Sequence, residues 1–274
     1  MNPSQTTRRR EIVIASELAE HSKFLMDNLR LKTFPIGVRF IRDIEEIPEK
    51  ARRPSLFLEK KITICQGVTM ARNYGWQVAL TRSDIICVPA LLAFGLTPAP
   101  DASTELSGLF CEVGFKNNKE VSLEEVKSMS LLEKDEFEGI LLFPMAKAAA
   151  EPDVIVIYGN PAQISRLIQA ATFNSTSRVS GSFGGKVECS EYLVSPLKTG
   201  QPRVIIPGLG DRIFSMTMDD EMVFALPVSF LDELIDGLKK SGSKIGARYP
   251  ITHYQNFQPE FPKVYRELAE KLGI

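Results

Sequence analysis

The chain has 274 residues, 44% hydrophobic and 24% charged, an ordinary globular composition with room for one large domain or two of common size. A net charge of −1, from 33 basic and 34 acidic residues, removes the basic footprint of a nucleic-acid-binding domain. No apolar stretch approaches a membrane span, since the longest, 85–96, is only about a dozen residues and is broken by Pro89.

Residues 1–10 are polar and basic and read as a disordered N-terminus. The apolar core of a signal peptide is interrupted by Glu11, Glu17 and Glu20, so the expected location is cytoplasmic. Ile14, Leu18, Leu25 and Leu29 define an amphipathic helix over 11–31. Residues 36–41 alternate as a strand, and the charged, proline-bearing 43–55 reads as a loop. The stretch 60–96 predicts strand, helix, turn, strand, helix. Its first helix, from Gln66, is stopped by Gly75, and its last opens with Cys87 ahead of Pro89. Residues 97–107 read as a loop, and Ser122 with Glu125 forms a capping-box signature before a short helix. Residues 140–143 read as a strand. The continuous run VIVIY at 154–158 reads as a strand buried on both faces.

Asn160 and Pro161 predict the cap and first position of a helix carrying Ile164, Leu167, Ile168 and Ala171. A loop rich in Ser, Thr and Gly follows, then a strand-like approach to Cys189 and a helix ending by Pro196. Strands at 204–206 and 222–226 come next. A helix capped by Ser229 carries Phe230, Leu234, Ile235 and Leu238. From Ala247 a loop leads to a short helix over 263–272.

These elements predict an α/β (or α+β) protein with mixed sheets and packed helices. Its core is 11–246 and its C-terminal segment 247–274. Two segments echo each other, EGILLFP at 138–144 and EMVFALP at 221–227, as do IGVRF at 36–40 and VIVIY. The echo divides the core into two similar halves, about 11–150 and 151–246. It makes Cys87 equivalent to Cys189, and Cys65 to the Asn160 corner.

Four cysteines at wide spacing, without a CxxC pair, are no secreted disulfide framework and only a weak metal signal. Their positions are more telling. Cys65, Cys87 and Cys189 each stand where an apolar segment meets a helix start, and unpaired amides there favour a thiolate. Gathered together, they could hold an iron–sulfur cluster, with one iron open or ligated by Cys111. The alternative is that they are small buried hydrophobes. With only His21 and His253, a histidine-rich metal site or a Cys-His hydrolase is not expected. A different class of function is a metal-free module that holds a small anion at the Asn160 corner, with Arg212 as its charge. An ordinary capped turn is the simpler reading of that corner. GSFGGK at 181–186 and GLGDR at 208–212 both fail as nucleotide motifs. Expected partners are therefore a small-molecule ligand or a redox protein, and a homodimer stays open.

CQGVTMAR at 65–72, the Cys87 segment with ALLAFGL at 90–96, VIVIYGNPAQISRLIQA at 154–170, the run into Cys189 and DDEMVFALP at 219–227 together resemble a prokaryotic family, domain of unknown function 169. The resemblance spans roughly 15–240, and the strand–GNPAQ–helix segment is its most specific piece. It implies no activity. It does imply that Cys65, Cys87 and Cys189 occupy family motif positions, while Cys111 falls in none. It also implies a cysteine near Gly208 or Leu209 in some members, which this chain lacks.

Overall fold

The computed structural model describes residues 3–99, 101–250 and 262–274, with side chains from residue 13 onward. His253 and the tail loop at 251–261 lie outside the described residues. The first half contains α1 (Pro3–Leu29), β1 (Ile36–Ile41), α2 (Pro54–Phe57), α3 (Ile64–Tyr74), β2 (Val78–Thr81), α4 (Val88–Ala93), α5 (Ala102–Glu112), α6 (Lys119–Ser128) and β3 (Gly139–Pro144). The second contains β4 (Val154–Gly159), α7 (Pro161–Ala171), α8 (Glu188–Thr199), β5 (Arg203–Ile205), α9 (Leu209–Phe214), β6 (Met222–Pro227) and α10 (Leu231–Lys240), and α11 (Lys263–Leu272) follows.

The α/β expectation holds. Among the described residues the named strands form a single sheet of order β2-β3-β1-β4-β6-β5, with every pairing antiparallel. Each half contributes its first strand to the centre, where Ile36 faces Val156 and Val38 faces Val154. Each then adds its last strand, and the short strand in between forms the edge.

Strand side chains alternate between two helical layers. Ile36, Val38, Phe40, Val154, Val156 and Tyr158 join one core with Val68, Ala71, Tyr192 and Leu193. Ile155, Ile157, Phe224 and Leu226 join the other, with Leu25 and Leu29 of α1, Leu167 of α7 and Leu234 of α10. Cover on both faces explains why VIVIY is apolar throughout. Gly37 sits opposite Phe143 in the ladder, where a Cβ would come within 2.4 Å of the Phe143 ring.

The helices depart from the sequence reading in particular places. α1 already begins at Pro3, inside the segment expected to be disordered. The expected loop at 97–107 contains the start of α5, because the Asp101 side chain accepts from the amides of Ser103 and Thr104 and nucleates a turn there. Asn118, not Ser122, caps α6; Ser122 is buried and donates to the Ser107 carbonyl. α8 runs through Pro196 to Thr199 and is closed by Gly200. α10 begins at Leu231 with no side-chain cap, so Ser229 does not serve as one.

Candidate functional site

The layer containing α3, α4, α8 and α9 crosses between the halves: α3 packs on α9, and α4 packs on α8. α3 is the helix immediately before β2, and α8 is the helix immediately before β5. Each ends on a left-handed glycine, Gly75 at φ 69° and Gly200 at φ 63°. Cys65 is the second residue of α3 and Cys189 the second residue of α8, so position in the fold matches Cys65 with Cys189. Cys87 caps α4 after β2, and Gly208 stands at the same place before α9 after β5. This order of elements differs from the matching drawn from sequence, Cys87 with Cys189 and Cys65 with the Asn160 corner; no strand leads directly into Cys189.

Cys65 and Cys189 are buried and Cys87 is half-buried, and the Asp211 carboxylate raises all three thiols. Cys65 Sγ lies 3.0 Å from Thr63 Oγ1 and 3.5 Å from the Gly210 carbonyl it donates to. Cys111 stands apart, half-buried on α5 in a cavity it shares with Val88, Leu92 and Glu112. All four cysteines are free.

Thiolates were expected at these helix starts, and the opposite is found. Burial first, then the Asp211 carboxylate, push the Cys65 thiol up to about 12. The same two causes put Cys189 well above its usual value, and burial raises Cys87. Desolvation outweighs the helix-end amides.

Asp211 is the hub. Its Oδ1 accepts from the Tyr192 hydroxyl at 2.8 Å and its Oδ2 from the Gly208 amide at 3.1 Å. Burial still holds its carboxyl above the ordinary range. The Tyr158 ring meets that of Tyr192 edge-on at 6.2 Å, and the Arg72 guanidinium lies 3.9 Å over the Tyr158 ring. The buried Tyr158 hydroxyl makes no hydrogen bond of ordinary geometry, although Tyr192 is near enough to act on it. Arg72, 1% exposed, spends its two terminal nitrogens on Glu221 at 2.7 and 3.0 Å, and its Nε is unpartnered. Glu188, beside Cys189, accepts the amides of Gly184 and Gly185 through Oε1, while its Oε2 is buried without a partner. Burial lifts that carboxyl to about 7. Among the described residues, no three His, Cys, Asp or Glu side chains stand as a group able to hold a metal ion.

The anion reading meets a filled corner. Asn160 Oδ1 caps Gln163, its Nδ2 donates to the Tyr249 hydroxyl at 3.0 Å, and its own amide donates to Gln163 Oε1 at 2.7 Å. Arg212 donates to the Met218 carbonyl at 2.7 Å and lies 3.9 Å from Asp219.

Asp211, Tyr192, Tyr158, Arg72 and Glu221 were not singled out from sequence. Two signals were present: a tyrosine closing an otherwise apolar buried strand, and an aspartate three residues into the helix after a Pro-Gly turn.

The fold is that of an α/β protein whose crossed helices bury Tyr158, Tyr192, Asp211, Glu188, Cys65 and Cys189 in its interior. The family model DUF169, described as "Uncharacterised ArCR, COG2043", matches residues 24–237, and the chain belongs to that family. An uncharacterised protein of Methanocaldococcus jannaschii is 23% identical over 225 residues, 82% of this chain and 94% of that protein. A SUMO-conjugating enzyme of Arabidopsis thaliana is 27% identical over 103 residues, 36% of this chain and 64% of that protein. No solved structure matches. No helix among the described residues is long and apolar enough to cross a membrane.

Proposed function

We propose that this chain carries a metal centre, an iron–sulfur cluster, held by Cys65, Cys87 and Cys189. One observation carries the reading: Cys65, Cys87 and Cys189 stand at the starts of three separate helices, α3, α4 and α8, of the one crossed layer. The nearest buried cation, Arg72, is already paired with Glu221. Thiolates are the ligands that iron–sulfur clusters use, and binding would release the protons that burial holds on these thiols. A cluster also spreads its ligands further apart than a single ion does. Cys111, in a different cavity, is not part of this set.

We infer as well that 11–150 and 151–246 are two similar halves. The strand order and the crossed pairs α3–α9 and α4–α8 support this. The halves would then enclose the centre between them, in a cytoplasmic protein that exchanges electrons with a redox partner or binds a small molecule at an open iron.

The test is anaerobic purification, followed by visible absorption and elemental analysis of iron, sulfide and zinc. The expected result is a coloured protein that loses its iron on Cys65→Ser, Cys87→Ser or Cys189→Ser and keeps it on Cys111→Ser. A colourless chain without iron or zinc, even after reconstitution with iron and sulfide, would end the reading and leave two buried thiols and one half-buried.

A further inference from the structure

The end of α1, α7, α10 and residues 247–250 surround a cavity of about 500 Å³, within the roughly 300–1,000 Å³ usual for small-molecule sites. Three arginines line it: Arg30 just after α1, Arg166 on α7 and Arg248 beyond α10. The one acidic side chain among its described lining residues, Asp27, is already paired with Lys23. A chain of net charge −1 thus gathers uncompensated positive charge in one hollow. We propose that this cavity binds a small molecule through a phosphate group, held by Arg30, Arg166, Arg248 and the Tyr249 hydroxyl. The site is independent of the metal reading, since no cysteine is among its described lining residues.

Arg166 is 7% exposed, and its terminal nitrogens donate to the Leu238 carbonyl, to the Ser241 carbonyl and hydroxyl, and to Gln169 Oε1. None of these partners is charged, so a guanidinium is buried here with no anion to balance it. Among the described residues, neither the Arg30 nor the Arg248 side chain has an ion pair. Arg30 has a left-handed backbone, φ 51°, where glycine is favoured. Gln163 Nε2 holds it there by donating to its carbonyl at 3.1 Å. Gln163 belongs to the capping box of α7, so the corner that Asn160 fills also positions this arginine. Tyr249 supplies a neutral donor. Its hydroxyl accepts from Asn160 Nδ2 at 3.0 Å, which leaves its own proton to donate. The number of donors selects the anion. Each guanidinium is a planar fork that matches a carboxylate or a phosphate. A carboxylate has only two oxygens, whereas a phosphate monoester offers three and carries more charge. Three forks around one cavity suit the phosphate. Arg166 also ties down the last carbonyls of α10, which accounts for one arginine and not for the other two.

The experiment is titration calorimetry on the full-length chain at fixed ionic strength, with inorganic phosphate, glycerol 3-phosphate and succinate as probes. Wild type should bind both phosphates saturably, glycerol 3-phosphate at least as tightly as inorganic phosphate, and succinate about tenfold more weakly. Arg30→Ala and Arg248→Ala remove exposed side chains. Each should weaken glycerol 3-phosphate about tenfold or more, and the double variant should abolish binding. Arg82→Ala, at an exposed arginine outside the cavity, should match wild type. Circular dichroism establishes that each variant is folded, and if one of the pair is not, the other decides. Succinate as tight as the phosphates overturns the choice of phosphate, and inorganic phosphate tighter than glycerol 3-phosphate overturns the organic ligand. Affinity unchanged in the double variant, or lowered equally by Arg82→Ala, places the anion elsewhere. A wild-type chain that binds none of the three probes at millimolar concentration removes the site.

Discussion

At the scale of single residues, the polar groups this chain buries are mostly satisfied by fixed partners, and Asp84 illustrates the consequence. Its side chain is fully buried and pairs with Arg53, 3.2 Å away. Burial alone would raise its carboxyl. Hydrogen bonds from Ser55 and from the Thr81 amide and hydroxyl outweigh burial and hold it below the ordinary value. A folded value below the unfolded one, about 3.9, means the ionised carboxylate contributes stability that is fully present above that pH. The contribution is lost as pH falls through the folded value. Asp84→Asn should therefore cost about 1–3 kcal/mol at neutral pH and make the acid limb of a stability–pH curve shallower. Urea unfolding between neutral pH and acid checks this, and a limb as steep as wild type counts against it. Thr81 is local, three residues before Asp84, but the other partners are too distant to read from sequence. Ser55 lies 29 residues before Asp84, and Tyr192 lies 19 before Asp211. Sequence shows which residues can ionise; only the fold shows which of them are dry.

At the scale of elements, legibility followed periodicity and local caps. β1, β3, β4 and β6 were visible because each is a short apolar run with turn residues at its ends. α7 was visible because Asn160, Pro161 and Gln163 form a capping box within four residues. α5 was hidden because small and polar residues at 97–107 imitate a loop, although Asp101 already starts the helix. The contact between α7 and α10 was equally hidden, since it depends on what is absent from Gly237. A Cβ there would lie 2.1 Å from the Ala170 carbonyl, a backbone atom that cannot swing aside. Gly237→Ala should push α10 off α7 and cost about 1–3 kcal/mol or more, despite alanine's better helix propensity. Thermal unfolding measures it, and an equal or higher melting temperature would show that the two helices can slide apart without loss.

At the scale of the molecule, the order of the sheet and the crossing of α3, α4, α8 and α9 leave neither half with a complete core of its own. Tyr158, Tyr192 and Cys189 of the second half share a core with Val68, Ala71 and Phe94 of the first. The echo of EGILLFP and EMVFALP is visible in the sequence, but which elements meet across the sheet is not, because that depends on strand order. The single connection between the halves, residues 145–153, has a mechanical consequence. The surface one half hides is covered by the other, and a neighbouring chain carries an identical cover. Two chains can exchange halves and rebuild every contact except those of the connection. Refolding from denaturant at high protein concentration should therefore yield a reciprocal dimer that persists on later dilution, while dilute refolding yields monomer. Light scattering on size-separated material checks this. A dimer that dissociates at once on dilution would belong to a surface contact, not to an exchange.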